Sequence, residues 1–101
     1  MTYIVETWDK PGSLSLRMRI RPDHIKYLEE NVDKLLAAGA KLSDDGETML
    51  GTFYIVDVET RAEAEAFVAA DPFSRAGLPD RIVITRWRKA FFNFENNMRN
   101  L

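Results

Sequence analysis

The chain has 101 residues, a formal net charge of −2 and no cysteine. One domain of this size buries roughly 60–70% of the surface its unfolded chain exposes, so neither a disulfide nor a metal is needed to hold its core. The charge balance argues against a nucleic-acid partner, and the cysteine-free composition fits a reducing compartment, with the cytoplasm as the expected location.

The start, Met1-Thr2-Tyr3-Ile4-Val5-Glu6, lacks the basic and apolar regions of a signal peptide. No apolar run approaches the roughly 20 residues that span a bilayer, so no membrane partner is expected. Tyr3 to Trp8 is rich in β-branched and aromatic residues and predicts a strand, broken by Lys10-Pro11-Gly12-Ser13. Ser13 to Ile20 alternates Arg with apolar residues and reads as irregular chain, a loop with a short turn of helix. Pro22 suits the first turn of a helix, and Ile25, Leu28, Val32, Leu35 and Leu36 follow at helical spacing up to Gly39. The first helix is therefore expected over about 22–38.

Ala40 to Ser43 reads as a short strand, and Asp44-Asp45-Gly46-Glu47 supplies hairpin chemistry before a strand from Met49 to Val58. Thr60-Arg61-Ala62-Glu63 is a capping box. Ala64, Phe67 and Val68 mark the buried face of a second helix that ends near Asp71-Pro72, because proline disfavours helical geometry in the residue before it. Phe73 to Gly77 predicts one further turn and Arg81 to Trp87 the last strand. Phe91 to Leu101 is an aromatic, Asn-rich tail.

The order βαββαβ predicts an α+β ferredoxin-like plait in one domain over 1–101, with a core of about 2–90 and a C-terminal extension over 91–101. The strands are apolar on both sides, whereas the helices cover one face. A second copy is the simplest cover for the other, which predicts a homodimer through the open face of the sheet. Asp44, Asp45, Glu47, Asp57, Glu59, Glu63 and Glu65 make the middle of the chain acidic. Lys10, Arg17, Arg19, Arg21 and Lys26, with Arg81, Arg86, Arg88 and Lys89, make its two ends basic. Ends brought together would attract a small anion. Scattered solvated charge is the plainer reading.

Arg21-Pro22-x-His24-x-x-Tyr27-Leu28, Gly39, Asp44-Asp45-Gly46, Gly51, Ala64-Glu65-Ala66, Asp71-Pro72-Phe73-x-x-Ala76-Gly77-Leu78 and Trp87-Arg88 together resemble the YCII-related family over nearly all of residues 3–90. The resemblance implies a dimeric ferredoxin-like α/β barrel and an active site built on a His–Asp pair, here His24 and Asp71. A relative in that family is a dehydrochlorinase acting on a chlorinated hydroquinone. Phe73 stands where the family often has Tyr, so any role of that hydroxyl is absent here.

His24, the one histidine, and Asp71 suffice for general acid–base work if the fold joins them. His24 is expected in the first turn of its helix and Asp71 at the end of the other, a juxtaposition that antiparallel helices allow. Asp71 would fix the imidazole tautomer, leaving the other nitrogen to take or give a proton. The alternative is that Asp71 merely ends a helix and His24 lies on the surface. Arg17 and Arg21 are candidates for binding an anionic substrate, since guanidinium offers a donor fork to oxygen anions. Ser43 is a further pocket candidate, although a turn role is commoner. One His and no Cys argue against a transition metal, and the Asp44–Glu47 run lacks the ligand spacing of a calcium loop. With no Gly-rich phosphate loop either, no cofactor is expected.

The function expected is lyase- or isomerase-like chemistry on a small anionic or aromatic metabolite, of dehydrochlorinase type if the resemblance extends to activity. The alternatives are a non-catalytic small-molecule-binding or accessory module on the same fold, and a haem- or quinone-type monooxygenase relative.

Overall fold

A computed structural model describes residues 1–98. Strand β1 (Thr2–Asp9) leads into helix α1 (Leu14–Glu30), and a 3-10 turn (Val32–Lys34) precedes β2 (Leu35–Leu42). Then come β3 (Met49–Asp57), α2 (Arg61–Ala70), the one-turn α3 (Pro72–Arg75) and β4 (Pro79–Trp87). The four strands form an antiparallel sheet in the order β2-β3-β1-β4, the ferredoxin-like arrangement expected from the chain order.

Tyr3 and Val5 of β1 and Tyr54 and Val56 of β3 point to one face. There they pack against Ala64, Phe67 and Val68 of α2 and Tyr27 and Leu28 of α1. Strand alternation sends Ile4, Glu6 and Trp8 with Phe53 and Ile55 to the other face. Trp8 is flanked there by Lys41 Nζ at 3.4 Å and the Arg81 guanidinium at 4.7 Å from its ring centre. Gly51 is required where β3 crosses β1: a Cβ on it would lie 1.9 Å from the carbonyl oxygen of Thr7. No helix among the described residues is long and apolar enough to cross a membrane.

The first helix departs most from expectation. It starts at Leu14, not Pro22, so the stretch read as irregular is helical and Pro22 lies inside it. Arg17 and His24 are its buried residues, with Ile20, Tyr27 and Leu28 half-buried. Its inward stripe thus runs 17, 20, 24, 27/28 at helical spacing, but with two polar members. Pro22 is exposed; it removes one helical hydrogen bond without pressing its ring into the core. The helix also ends early. Leu35 and Leu36 continue the helical spacing, yet both belong to β2, where Leu35 pairs with Val56 and Gly39 with Phe53. Sheet pairing overrides a local period that two structures can share.

The second helix lies where the capping box puts it. Thr60 Oγ1 accepts from the Glu63 backbone N–H at 3.1 Å. The tail extends as a hairpin, β5 (Phe91–Phe92) with β6 (Glu95–Asn96); residues 99–101 lie outside the described ones.

Candidate active site

Asp71 sits where α2 stops and α3 starts. Pro72 forces it into extended geometry (ψ 129°), turning its carboxylate back over the new helix. There Oδ1 accepts the Phe73 backbone N–H at 2.9 Å, capping α3. The same oxygen lies 2.8 Å from Nδ1 of His24. The two residues are 5% and 3% exposed, so the contact is sheltered from water and salt. His24 lies mid-way along α1 rather than in its first turn, so it is away from the field of that helix's own N-terminus. The helices still bring the pair together, because α1 packs directly on α3.

The Phe73 ring stacks on the imidazole with centroids 3.9 Å apart and planes 15° from parallel. One residue therefore braces both partners, its N–H on the carboxylate and its ring on the imidazole. With Nδ1 engaged by a carboxylate, the neutral imidazole carries its proton there and leaves Nε2 as the free base. Nε2 has no protein partner among the described residues.

Arg17 lies two turns N-terminal to His24 on the same helix stripe and is 3% exposed. Its Nη1 donates to both carboxylate oxygens of Asp9, at 2.9 and 3.1 Å, and Nη2 donates to Thr52 Oγ1 at 3.1 Å. Thr52 is tied in turn to β1, its N–H donating to Thr7 Oγ1 at 3.0 Å. The guanidinium carbon stands 4.8 Å from the centre of the Phe73 ring. Arg17 is therefore a neutralised, anchored wall residue as well as a cation.

Arg17, Arg21, His24, Thr52 and Phe73 line one cavity of about 230 Å³, completed by Ile25, Leu28 and the Ala38–Gly39–Ala40 stretch of β2. A few polar side chains share the lining with apolar ones, the usual build of a small-molecule site. Four of the five residues singled out from sequence meet here: His24, Arg17 and Arg21 line the cavity and Asp71 supports it. Ser43 does not. It caps the β2–β3 hairpin, with Oγ donating to Asp45 Oδ1 at 2.6 Å and accepting the Thr48 N–H at 3.0 Å, the turn role that such a Ser commonly takes. Asp9 and Thr52 were not foreseen, since only the fold brings strand ends under α1. Among the described residues no cluster of three metal-ligating side chains occurs, and His24 and Asp71 alone would offer a metal two ligands.

Two phenols complete the surroundings. Burial, and secondarily the Asp71 carboxylate, pushes the Tyr27 hydroxyl above the ordinary tyrosine range, and it donates to the Phe67 carbonyl at 2.8 Å. Tyr54 is pushed up further by its deeper burial, with Asp71 and Tyr27 adding to the effect. Both are neutral at physiological pH.

Residues 1–88 match the YCII-related domain. The chain belongs to that family. It is 29% identical over 98 residues to the YciI protein of Escherichia coli, covering 90% of this chain and all of that one. Among solved structures, the 5-chloro-2-hydroxyhydroquinone dehydrochlorinase of Burkholderia phenoliruptrix, in complex with 2,5-dihydroxybenzoquinone, superposes with a TM-score of 0.81. It is 34% identical, over 87% of this chain and 94% of that one. A Mycobacterium tuberculosis protein, 14% identical with a TM-score of 0.53 over 87% of this chain and 94% of its own, shares the fold alone.

Proposed function

We propose that this YCII-family chain is an enzyme of general acid–base type acting on a small, single-ring, oxygen-bearing substrate, with dehydrochlorination as the leading reaction. The observation that carries this reading is the His24 Nδ1–Asp71 Oδ1 contact of 2.8 Å beside a cavity of about 230 Å³. A cavity of about 150 Å³ holds a benzene molecule, so this one suits a ring with a few substituents. Asp71 orients the imidazole, and Nε2 takes a proton from the substrate. The substrate reacts as its keto tautomer, in which a phenol proton has moved to the chlorine-bearing ring carbon and made it tetrahedral. The electron pair left when Nε2 removes the proton of the opposite phenol shifts through the ring into a new π bond as chloride departs with its own pair, so hydrogen and chlorine leave overall as H⁺ and Cl⁻. Arg21 at the cavity stabilises negative charge building on a ring oxygen, and Arg17, already paired with Asp9, adds an anchored donor-bearing wall beside it. The dehydrochlorinase similarity supports the reaction type. A binding module needs only the cavity; a buried, oriented imidazole with one free nitrogen favours catalysis.

The same reading takes the functional unit as a homodimer through the face carrying Ile4, Phe53 and Ile55, which the helices leave uncovered. Sedimentation at micromolar concentration is expected to give twice the chain mass, and a monomer mass contradicts it.

The test is chloride release from 5-chloro-2-hydroxyhydroquinone. Wild type is expected to turn it over, and a folded His24→Gln variant to lose about 10²–10⁴-fold in kcat. A His24→Gln variant with the wild-type rate removes His24 from the mechanism, and no release by wild type rejects dehydrochlorination.

A further inference from the structure

A second cavity lies away from the His–Asp pair. It is an open groove of about 650 Å³ where the start of β1 and the end of β4 meet the C-terminal hairpin. Arg86, Arg88 and Lys89 line it, and among the described residues none of them has a carboxylate within ion-pair distance. The nearby N-terminal ammonium is different, being paired with Asp57 at 3.3 Å. Trp87, half-buried, gives the groove a flat apolar surface, and Phe92 of the hairpin meets its indole edge-on with centroids 6.5 Å apart. Asn97 completes the lining; its side-chain amide donates to the Phe92 and Glu95 carbonyls at 3.5 and 3.2 Å and its backbone N–H to the Ala90 carbonyl, which pins the hairpin in place. The family match stops at residue 88, so Lys89 and the hairpin wall lie beyond the shared domain.

We infer that this groove is a second ligand site, for a small phosphate-bearing anion that also carries a flat ring. Three cations that have no ion-pair partner among the described residues line one groove, in a chain of net charge −2, and form a local positive field that a compact anion would neutralise. Guanidinium groups match phosphate oxygens geometrically, and the indole beside them offers a face for stacking. The volume lies within the range of small-molecule sites. A long polyanion fits poorly, because the acidic residues of the remaining surface would repel whatever extends past these three cations.

The probes are ADP, inorganic pyrophosphate and adenosine, titrated calorimetrically into the intact protein at 50 mM and 300 mM salt. ADP is expected to bind one per chain with Kd below about 1 mM at low salt. Adenosine should bind far more weakly, and the ADP affinity should fall as salt screens the cations. The variant Arg86→Gln/Arg88→Gln/Lys89→Gln should lose about eightfold or more in affinity, roughly two- to fivefold per charge. Trp87→Leu should weaken ADP while sparing pyrophosphate. His24→Gln should change nothing here. No binding by wild type overturns the inference. So does a folded triple variant with wild-type affinity, or ADP binding lost in His24→Gln but kept in the triple variant, since that would place the ligand in the other cavity.

Discussion

Replacing Asp9 by Asn leaves Arg17 charged, buried and without its counter-ion. The side chains are 4% and 8% exposed, and one guanidinium nitrogen bonds both carboxylate oxygens, so water can replace little of what is lost. Breaking a buried pair from one side costs about 3–5 kcal/mol. Asn keeps one acceptor oxygen, which places the expected cost near the lower end, about 3 kcal/mol. In urea unfolding that is a fall in midpoint of about 1–3 M. The double variant Asp9→Asn/Arg17→Met removes both charges, and its cost should fall below the sum of the single variants by about 1–3 kcal/mol. An Asp9→Asn protein within about 0.5 kcal/mol of wild type, or strict additivity in the cycle, would refute the argument that this pair is buried and coupled.

Gly51→Ala should destabilise by about 3 kcal/mol, because the new methyl meets the Thr7 backbone oxygen and β3 must move off β1; Gly39→Ala, with nothing within 4 Å, should stay within about 0.5 kcal/mol of wild type in the same thermal melts. Tyr54 is held neutral in the fold while its unfolded counterpart ionises near pH 10. Below that pH both states keep the proton and the group contributes no pH dependence. Above it the unfolded state loses the proton first, so stability falls by about 1.4 kcal/mol per pH unit for this group. Tyr54→Phe should make that alkaline decline shallower in unfolding curves at pH 10 to 11.5; an unchanged slope would show that Tyr54 ionises within the fold.

Strands β1, β3 and β4, the second helix and the sheet order were legible in the sequence because each carries a local signal, whereas only the second half of β2 was. Alternating Val, Ile and aromatics mark the strands, Thr60 and Glu63 mark a helix start, and Asp-Gly marks a hairpin. The first helix was misplaced because its buried stripe contains Arg17 and His24. Hydrophobic periodicity assumes apolar residues on the inner face, and this inner face is polar where the site is built. Leu35 and Leu36 misled for the opposite reason: they satisfy a helical period but serve as strand residues in β2. Polar residues on a buried stripe mark a site before they mark a helix. His24 and Asp71 were found through the family resemblance. Asp9 and Thr52 had no such mark, and only the crossing of α1 over the ends of β1 and β3 gives them a role.

The central claim is that Asp71 holds His24 through Nδ1 and leaves Nε2 as the base. Because the chain has one histidine, its imidazole ¹⁵N resonances can be read without ambiguity. In the neutral ring, the account predicts a protonated Nδ1 and an unprotonated Nε2, with that preference weakened in Asp71→Asn. A neutral ring protonated at Nε2, or a tautomer ratio indifferent to Asp71, would contradict it.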